Sequence, residues 1–354
     1  MTQPLQTATT PGRTVTVAGR TCLFFSGFSY LGMHAQPAFR EALQAGTEQF
    51  GPVFLSSRVA NVRLSIYEEL EHALAVLFRQ QAAAAYSSGY LAAQAAVHYA
   101  AQHAELLYAP GAHPALRLNG ADVPGQDWET WAQQTVTRIN SQPDHTFALA
   151  ADAVNPLTST INDFSWLAAV ERKMLAVIDD SHGAGILGTD GEGIVHALPV
   201  HTPVRYLLTA SLAKAYSIPG GLVAGHAADI AAMKRQPAFT ASSPIMPAGA
   251  YAFLQSQSLY AARRNKLRLN IQYFRQQVTG NPLVHNPHHL PVFLLQPGQR
   301  QPAIDKYLLD HDIIISSFAY PDPSSPPIHR IVLSALHEPF DMDALAKMLG
   351  HFNE

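Results

Sequence analysis

The side chains best placed to do chemistry lie in two short segments. The apolar run Ala176-Val177-Ile178 leads into Asp179, then Asp180, Ser181, His182 and the small turn Gly183-Ala184-Gly185. Further on, Lys214 stands among Leu212, Ala213 and Ala215, with Gly220-Gly221 behind it. A lysine in apolar surroundings loses solvation, which lowers its pKa and makes it a nucleophile and later a base. A carboxylate at the end of an apolar strand needs a cationic partner. A pyridinium N–H is such a partner, and an amine that condenses with an aldehyde completes the pair of groups that pyridoxal phosphate needs from a protein. Any one lysine is most often a surface lysine. The spacing from Asp179 and the trailing glycines argue against that here.

Other residues can be assigned to the same cofactor. His182 could donate to its phenolic oxygen, ahead of a glycine turn that permits close backbone approach. Ser88-Gly89-Tyr90 precedes an alanine-rich helical pattern, so its backbone N–H groups could receive a phosphate at a helix N-terminus, with Ser211 adding a hydroxyl. Ser-Gly before a helix is also an ordinary cap. His113, in Gly111-Ala112-His113-Pro114, could stack on the pyridine ring, or be a loop histidine. Arg330, just before Ile331-Val332-Leu333, could clamp a carboxylate bidentately, or join a surface salt bridge. His285, His288 and His289 lack a ligand spacing, so no metal is expected. Arg263-Arg264-Asn265-Lys266-Leu267-Arg268 reads as a solvated helix face.

These residues need a scaffold. An amphipathic helix is expected over Glu68–Gln81, with Leu70, Leu74, Leu77 and Phe78 on one face, then a strand at Ala82–Tyr86 and a helix over Leu91–His103. Phe147–Ala151, Met174–Ile178, Tyr206–Ala210 and Leu222–Ala224 are short apolar runs between helical or loop segments, as in a mostly parallel sheet covered on both faces. A long proline-free helix is expected over Ala248–Val278, ended by Thr279-Gly280. Beyond it, Val292–Leu295 and Ile313–Ser316 look like strands of a smaller α+β unit, and Pro321–Pro327 is a stiff loop. The expected organisation is an N-terminal segment over 1–40, a large α/β domain over 41–250 and a small C-terminal domain over 251–354.

Composition limits the partners. With 354 residues, 47% hydrophobic and 14% charged, the chain can bury a sizeable core. A formal net charge of −3 offers no field to attract nucleic acid or an anionic membrane. Cys22 is the sole cysteine, so no internal disulfide can form, and a cytoplasmic location is expected. No apolar run reaches the length of a membrane span, and Met1–Gly19 lacks a signal-peptide core.

Taken together, these motifs resemble those of the α-oxoamine synthases, fold-type I pyridoxal phosphate enzymes that include 8-amino-7-oxononanoate synthases and glycine C-acetyltransferases. Asp179-Asp180-Ser181-His182-Gly183 is similar to the family's Asp-Asp-Ala-His-Gly, the most specific match, and Ser211-Leu212-Ala213-Lys214 to its Thr-x-(Ser/Gly)-Lys. Phe28-Ser29-Tyr30-Leu31-Gly32 looks like Asn-Asp-Tyr-Leu-Gly, and Ser57-Arg58 with Tyr67–Glu71 like Gly-Ser-Arg and His-x-x-Leu-Glu. Ser88-Gly89-Tyr90 resembles the phosphate turn, Ala112-His113 the Ser-His of the stacking histidine's loop, and Arg330 through His337 the Arg-x-x-x-(Ser/Thr)-Ala-x-His of the carboxylate-binding arginine. The likeness covers nearly the whole chain.

The resemblance implies an aspartate aminotransferase-like α/β fold with a large cofactor domain and a smaller C-terminal α+β domain. It also implies a homodimer with sites at the subunit interface, and condensation of an amino acid with an acyl-CoA. Phe28 stands where the family has an asparagine near the substrate carboxylate, Pro156 where it has a serine, Val62 at a usual glycine and Tyr67 at the histidine. These departures cluster around substrate and acyl donor, not around the cofactor. They keep two further readings open: an aminotransferase or other amino-acid transformation without CoA, and a scaffold without turnover, against which the intact Lys214 counts.

Overall fold

The short apolar segments assemble into a six-stranded sheet in the order Ala82–Tyr86, Gly221–Gly225, Val204–Ser211, Met174–Asp179, Phe147–Asp152 and Glu105–Tyr108. The computed structural model describes residues 5–200, 202–296, 303–320 and 324–352. All neighbouring strands are parallel except Gly221–Gly225, which runs antiparallel to both flanks. That reversal matters for Lys214. Ser211 and Gly221 are in register, and the return between them is closed by Leu212 N–H to Gly220 C=O at 2.9 Å and Ile218 N–H to Leu212 C=O at 3.2 Å.

The sheet belongs to one of two compact units, formed by residues 36–155 and 161–259; the other comprises 1–35, 156–160 and 260–354. Within the larger unit, helix Gly89–Ala101 packs on the sheet through Ala92, Ala93, Ala96 and Val97, all fully buried. Small side chains let the helix backbone approach the strands closely. Helix Ile66–Leu77 buries Ile66, Leu70 and Leu74, and ends where Arg79 takes a left-handed conformation, φ 52°. Its Glu71 is buried and accepts the Ala85 N–H at 2.9 Å, while Arg58 and Lys234 reach it at 3.0 and 2.7 Å. Arg58 also lies 4.4 Å over the Tyr67 ring. The motifs at Arg58 and Tyr67–Glu71 therefore hold strand Ala82–Tyr86 in place.

The helix expected over Ala248–Val278 is instead two, Pro247–Gln255 and Gln257–Gln277. The Gln257 side chain donates to the Phe253 carbonyl at 2.6 Å, taking the acceptor that a continuous helix would give its backbone N–H. The basic run on the second helix is also not a solvated face. Arg264 is 7% exposed, and Arg263 donates to the carbonyls of Leu31 and Ala335.

The smaller unit has its own six-stranded sheet: Thr14–Val17, Arg20–Phe25, Ile313–Phe318, Ile328–Val332, Val292–Leu295 and Val284–His285. Its first two strands form a hairpin through Ala18 and Gly19, both at positive φ. Arg20–Phe25 then pairs in parallel with Ile313–Phe318. Sequence patterning flagged neither N-terminal strand. Part of the proline-rich loop, 321–323, lies outside the described residues. Among the described residues no helix is long and apolar enough to cross a membrane.

Candidate active site

The chemistry gathers at the C-terminal edge of the larger sheet, where open α/β sheets bind ligands. Asp152, Asp179 and Thr209 are in register on three adjacent parallel strands. Side chains at paired positions leave the sheet on the same face, so two carboxyls and a hydroxyl form a row. Asp179 is 7% exposed, and its Oδ1 accepts the Ser181 N–H at 2.9 Å. Thr209 Oγ1 is buried and has no hydrogen-bond partner among the described residues. Asp180, next along the chain, is committed elsewhere: its Oδ2 accepts the Ile194 N–H at 2.6 Å. A Cβ on Gly183 or Gly193 would lie 2.1 or 1.8 Å from its carboxylate, so those glycines exist to admit it. Burial pushes the Asp180 carboxyl well above its usual range.

Lys214 is charge-coupled to this row. Burial pushes its pKa down, and Asp179 and Asp152 pull it back up. Among the described residues it makes no ion pair, which leaves the amine uncommitted. His113 joins the same cluster: burial lowers its pKa, opposed by Asp179 and reinforced by Lys214 and Arg117. Its Nδ1 accepts the Ala115 N–H at 3.1 Å, so the neutral ring carries its proton on Nε2. Lys214, His113 and Asp152 are each half-buried.

The phosphate end is built from small residues. Ser88 caps helix Gly89–Ala101, its Oγ accepting the Leu91 N–H at 3.1 Å, while the first N–H groups of the helix have no intrahelical acceptor. A Cβ on Gly89 would meet Ser211 Cβ at 2.6 Å, and one on Gly221 would meet the Ser88 carbonyl at 2.3 Å. Ser211 thus lies against the helix start, its N–H held by Ser181 Oγ at 2.9 Å. Tyr90 is 59% exposed, and His182 is half-buried in the turn after Asp180. Gly89→Ala should overpack this turn at a cost of about 1–3 kcal/mol. A thermal melt and a phosphate-ester binding titration would read it, and unchanged binding would remove the turn from the site.

Asp152 is the functional candidate that motif reading missed. Its Oδ2 accepts the His113 backbone N–H at 2.8 Å, and Asn162 Nδ2 donates to its carbonyl at 2.8 Å. Burial, with Asp179 alongside, pushes its carboxyl up to about 8, although His113 N–H, Lys214 and Arg117 oppose the shift. The only sequence signal was an acid ending a second apolar run, Phe147–Ala151, as Asp179 ends its own. Between the ordinary carboxylate range, about pH 4, and about pH 8 the folded chain keeps a proton that the unfolded chain has lost. This group therefore draws stability down as pH rises through that window. Asp152→Asn should melt progressively higher than the unsubstituted protein between pH 5 and pH 8, with both free of ligand. A pH-independent difference would mean that Asp152 titrates normally.

Arg330 and Phe28 come together in the smaller unit. The Arg330 guanidinium is 5.6 Å from the Phe28 ring centroid and 5.0 Å from that of Phe318, and Nη2 donates to Ser316 Oγ at 3.3 Å. The residue is 2% exposed, and its Nε has no hydrogen-bond partner among the described residues. A buried guanidinium with an unused donor suits a carboxylate.

The residues present fit pyridoxal phosphate. The uncommitted amine matches its aldehyde, Asp179 its ring nitrogen, the neutral His113 ring its aromatic face, and the glycine-serine turn its phosphate. Comparisons with known proteins agree on the architecture. The chain is similar to the 8-amino-7-oxononanoate synthase of Pseudomonas putida, 27% identical over 353 residues, with 96% of this chain and 90% of that protein covered. It is also similar to that of Nitrosomonas europaea, 29% identical over 360 residues, with 95% and 90% covered. Serine palmitoyltransferase from S. paucimobilis with a bound PLP–myriocin aldimine superposes with a TM-score of 0.84 at 16% identity, covering 99% of this chain and 92% of that one. The larger unit's sheet and the smaller unit's strands are thus those of a fold-type I transferase. The sequence pattern of the aminotransferase class I and II family matches residues 28–349, and the chain belongs to that family.

Proposed function

We propose that this protein is a pyridoxal phosphate-dependent acyltransferase of the α-oxoamine synthase type, which condenses an amino acid with an acyl-CoA. The observation that carries the cofactor is the coupled group Asp179, Lys214 and His113 beside the Ser88-Gly89-Ser211 turn. The acyl-CoA half rests on likeness to curated 8-amino-7-oxononanoate synthases over nearly their full length. When bound, the cofactor supplies an electron sink for the bond broken at the substrate's α-carbon.

The chain's own groups then divide the work. Lys214 would hold the cofactor through its aldehyde and would move a proton at the substrate's α-carbon; its lowered pKa suits both tasks. Asp179 keeps the ring nitrogen protonated. His113 covers one ring face as a neutral imidazole, which adds no charge next to Lys214. His182 donates to the phenolic oxygen, and Ser211 with the N–H groups of Ser88, Gly89 and Tyr90 holds the phosphate. Arg330 binds the substrate carboxylate, its guanidinium plane steadied by Phe28. The protein is a cytoplasmic homodimer in this reading.

Release of free CoA thiol from an acyl-CoA, dependent on an added amino acid, tests the proposal. Phe28 favours one alternative, because a phenyl ring lies over the carboxylate-binding arginine where the resembling enzymes place an amide. Amino transfer to a keto acid without thiol release would establish that aminotransferase reading instead. An amino-acid panel that leaves the visible spectrum of the yellow holoprotein unchanged would point to a scaffold.

A further inference from the structure

We propose that Asp152 is a positioning residue for His113: its carboxyl ties the backbone of the 109–113 segment to the sheet and thereby sets the imidazole over the Asp179–Lys214 floor. The inference rests on the cofactor reading above only for its functional consequence.

Three observations support it. Asp152 ends strand Phe147–Asp152 in register with Asp179, so its own placement is fixed by the ladder to strand Met174–Asp179. Its Oδ2 takes the His113 N–H at 2.8 Å. His113 is in turn the N-cap of the short helix Pro114–Leu116, its ring fixed by the Ala115 N–H at Nδ1. Asp152 thus holds the backbone N–H of His113, and the Ala115 N–H holds its ring at Nδ1. The approach to His113 passes through Gly111 at φ 69° and is otherwise secured by Ala109 N–H to Ala150 C=O and Ala112 N–H to Ala109 C=O. Cutting the Asp152 contact removes the acceptor that holds the His113 backbone N–H. A carboxyl at this position is costly, because it is buried and stands beside Asp179, and it offers His113 an acceptor.

The alternative is that Asp152 acts directly as a charge on Lys214 and Asp179, and substitutions separate the two roles. Above about pH 8, where the carboxyl is ionised, Asp152→Asn keeps an oxygen acceptor for the His113 N–H and removes the charge, whereas Asp152→Ala removes both. Positioning predicts that Asp152→Asn binds pyridoxal phosphate with near-native affinity and absorption maximum. Asp152→Ala should bind it about tenfold more weakly, the scale of one lost buried hydrogen bond. In a His113→Ala background Asp152→Ala should then add less than about twofold. An Asp152→Asn effect equal to that of Asp152→Ala, or a full Asp152→Ala effect without the imidazole, overturns the proposal in favour of the charge.

A cofactor-free arm keeps the inference distinct from the functional reading. In imidazole ¹⁵N spectra of the apoprotein, with His113 assigned by His113→Asn, the Nδ1 resonance should show a hydrogen-bonded acceptor in the unsubstituted and Asp152→Asn proteins and move in Asp152→Ala. An unmoved resonance refutes positioning. If the protein binds no pyridoxal phosphate at all, the functional reading fails while these spectra still decide the role of Asp152.

Discussion

Lys214→Ala should abolish the borohydride-reducible linkage to pyridoxal phosphate and lower turnover by about 10⁴-fold, the upper end of what one acid–base group contributes. Lys214 sits on the return between Ser211 and Gly221, two residues held in register, so its backbone is fixed whatever its side chain. Deleting the amine leaves Asp152 beside Asp179 without the cation that favours its ionised form. The variant should therefore melt lower than the parent above about pH 8, where Asp152 loses its proton, and close to it at pH 5. Lys214→Arg separates charge from nucleophilicity: it restores the high-pH melt but not the linkage, because guanidinium does not deprotonate in this range. Reduction that still traps the cofactor on another lysine in Lys214→Ala would overturn the assignment.

Asp179→Asn has the next largest expected effect, a fall in turnover of about 10²- to 10³-fold, comparable to removing one preorganised electrostatic partner. An amide cannot hold a proton on the ring nitrogen as a carboxylate does. The substitution also has a signature in the cofactor-free protein. Asp179 raises both the Asp152 and the Lys214 pKa values. Without it, the Asp152 midpoint should fall from about 8 toward the usual carboxylate range, and the Lys214 amine should lose its proton more readily. Carboxyl ¹³C titration reads the first shift. A midpoint that stays near 8 would mean that burial alone raises it and that the two carboxyls do not sense each other.

Much of the fold and site was legible because it is encoded locally. The short apolar segments read as strands at Ala82–Tyr86, Phe147–Ala151, Met174–Ile178, Tyr206–Ala210 and Val292–Leu295 are strands, with ends extended by no more than two residues. Asp179, Lys214 and His113 share one electrostatic cluster. What escaped notice depends on distant partners. Thr14–Val17 and Arg20–Phe25 pair with each other as a hairpin, and Arg20–Phe25 finds its parallel partner at the far end of the chain. At the helix break the Phe253 carbonyl takes the Ser256 N–H in a tightened turn together with the Gln257 side chain, which no proline or glycine announces. The basic run at Arg263–Arg268 looked solvated because its charge is visible in sequence, and the backbone carbonyls that receive Arg263 are not.

Local sequence was enough to propose the chemistry: a carboxylate at the end of an apolar strand and a lysine among small residues are visible from their chain neighbours alone. Strand register was not available to it. Asp152 reads as one more acid until the ladder sets it beside Asp179 and beneath the His113 N–H. Arg330 reads as one more arginine until the fold lays Phe28 and Phe318 against its guanidinium. Residue type and periodicity travel with the chain, whereas register and burial follow from packing summed over elements far apart in sequence, so a partner's identity emerges only when those elements meet.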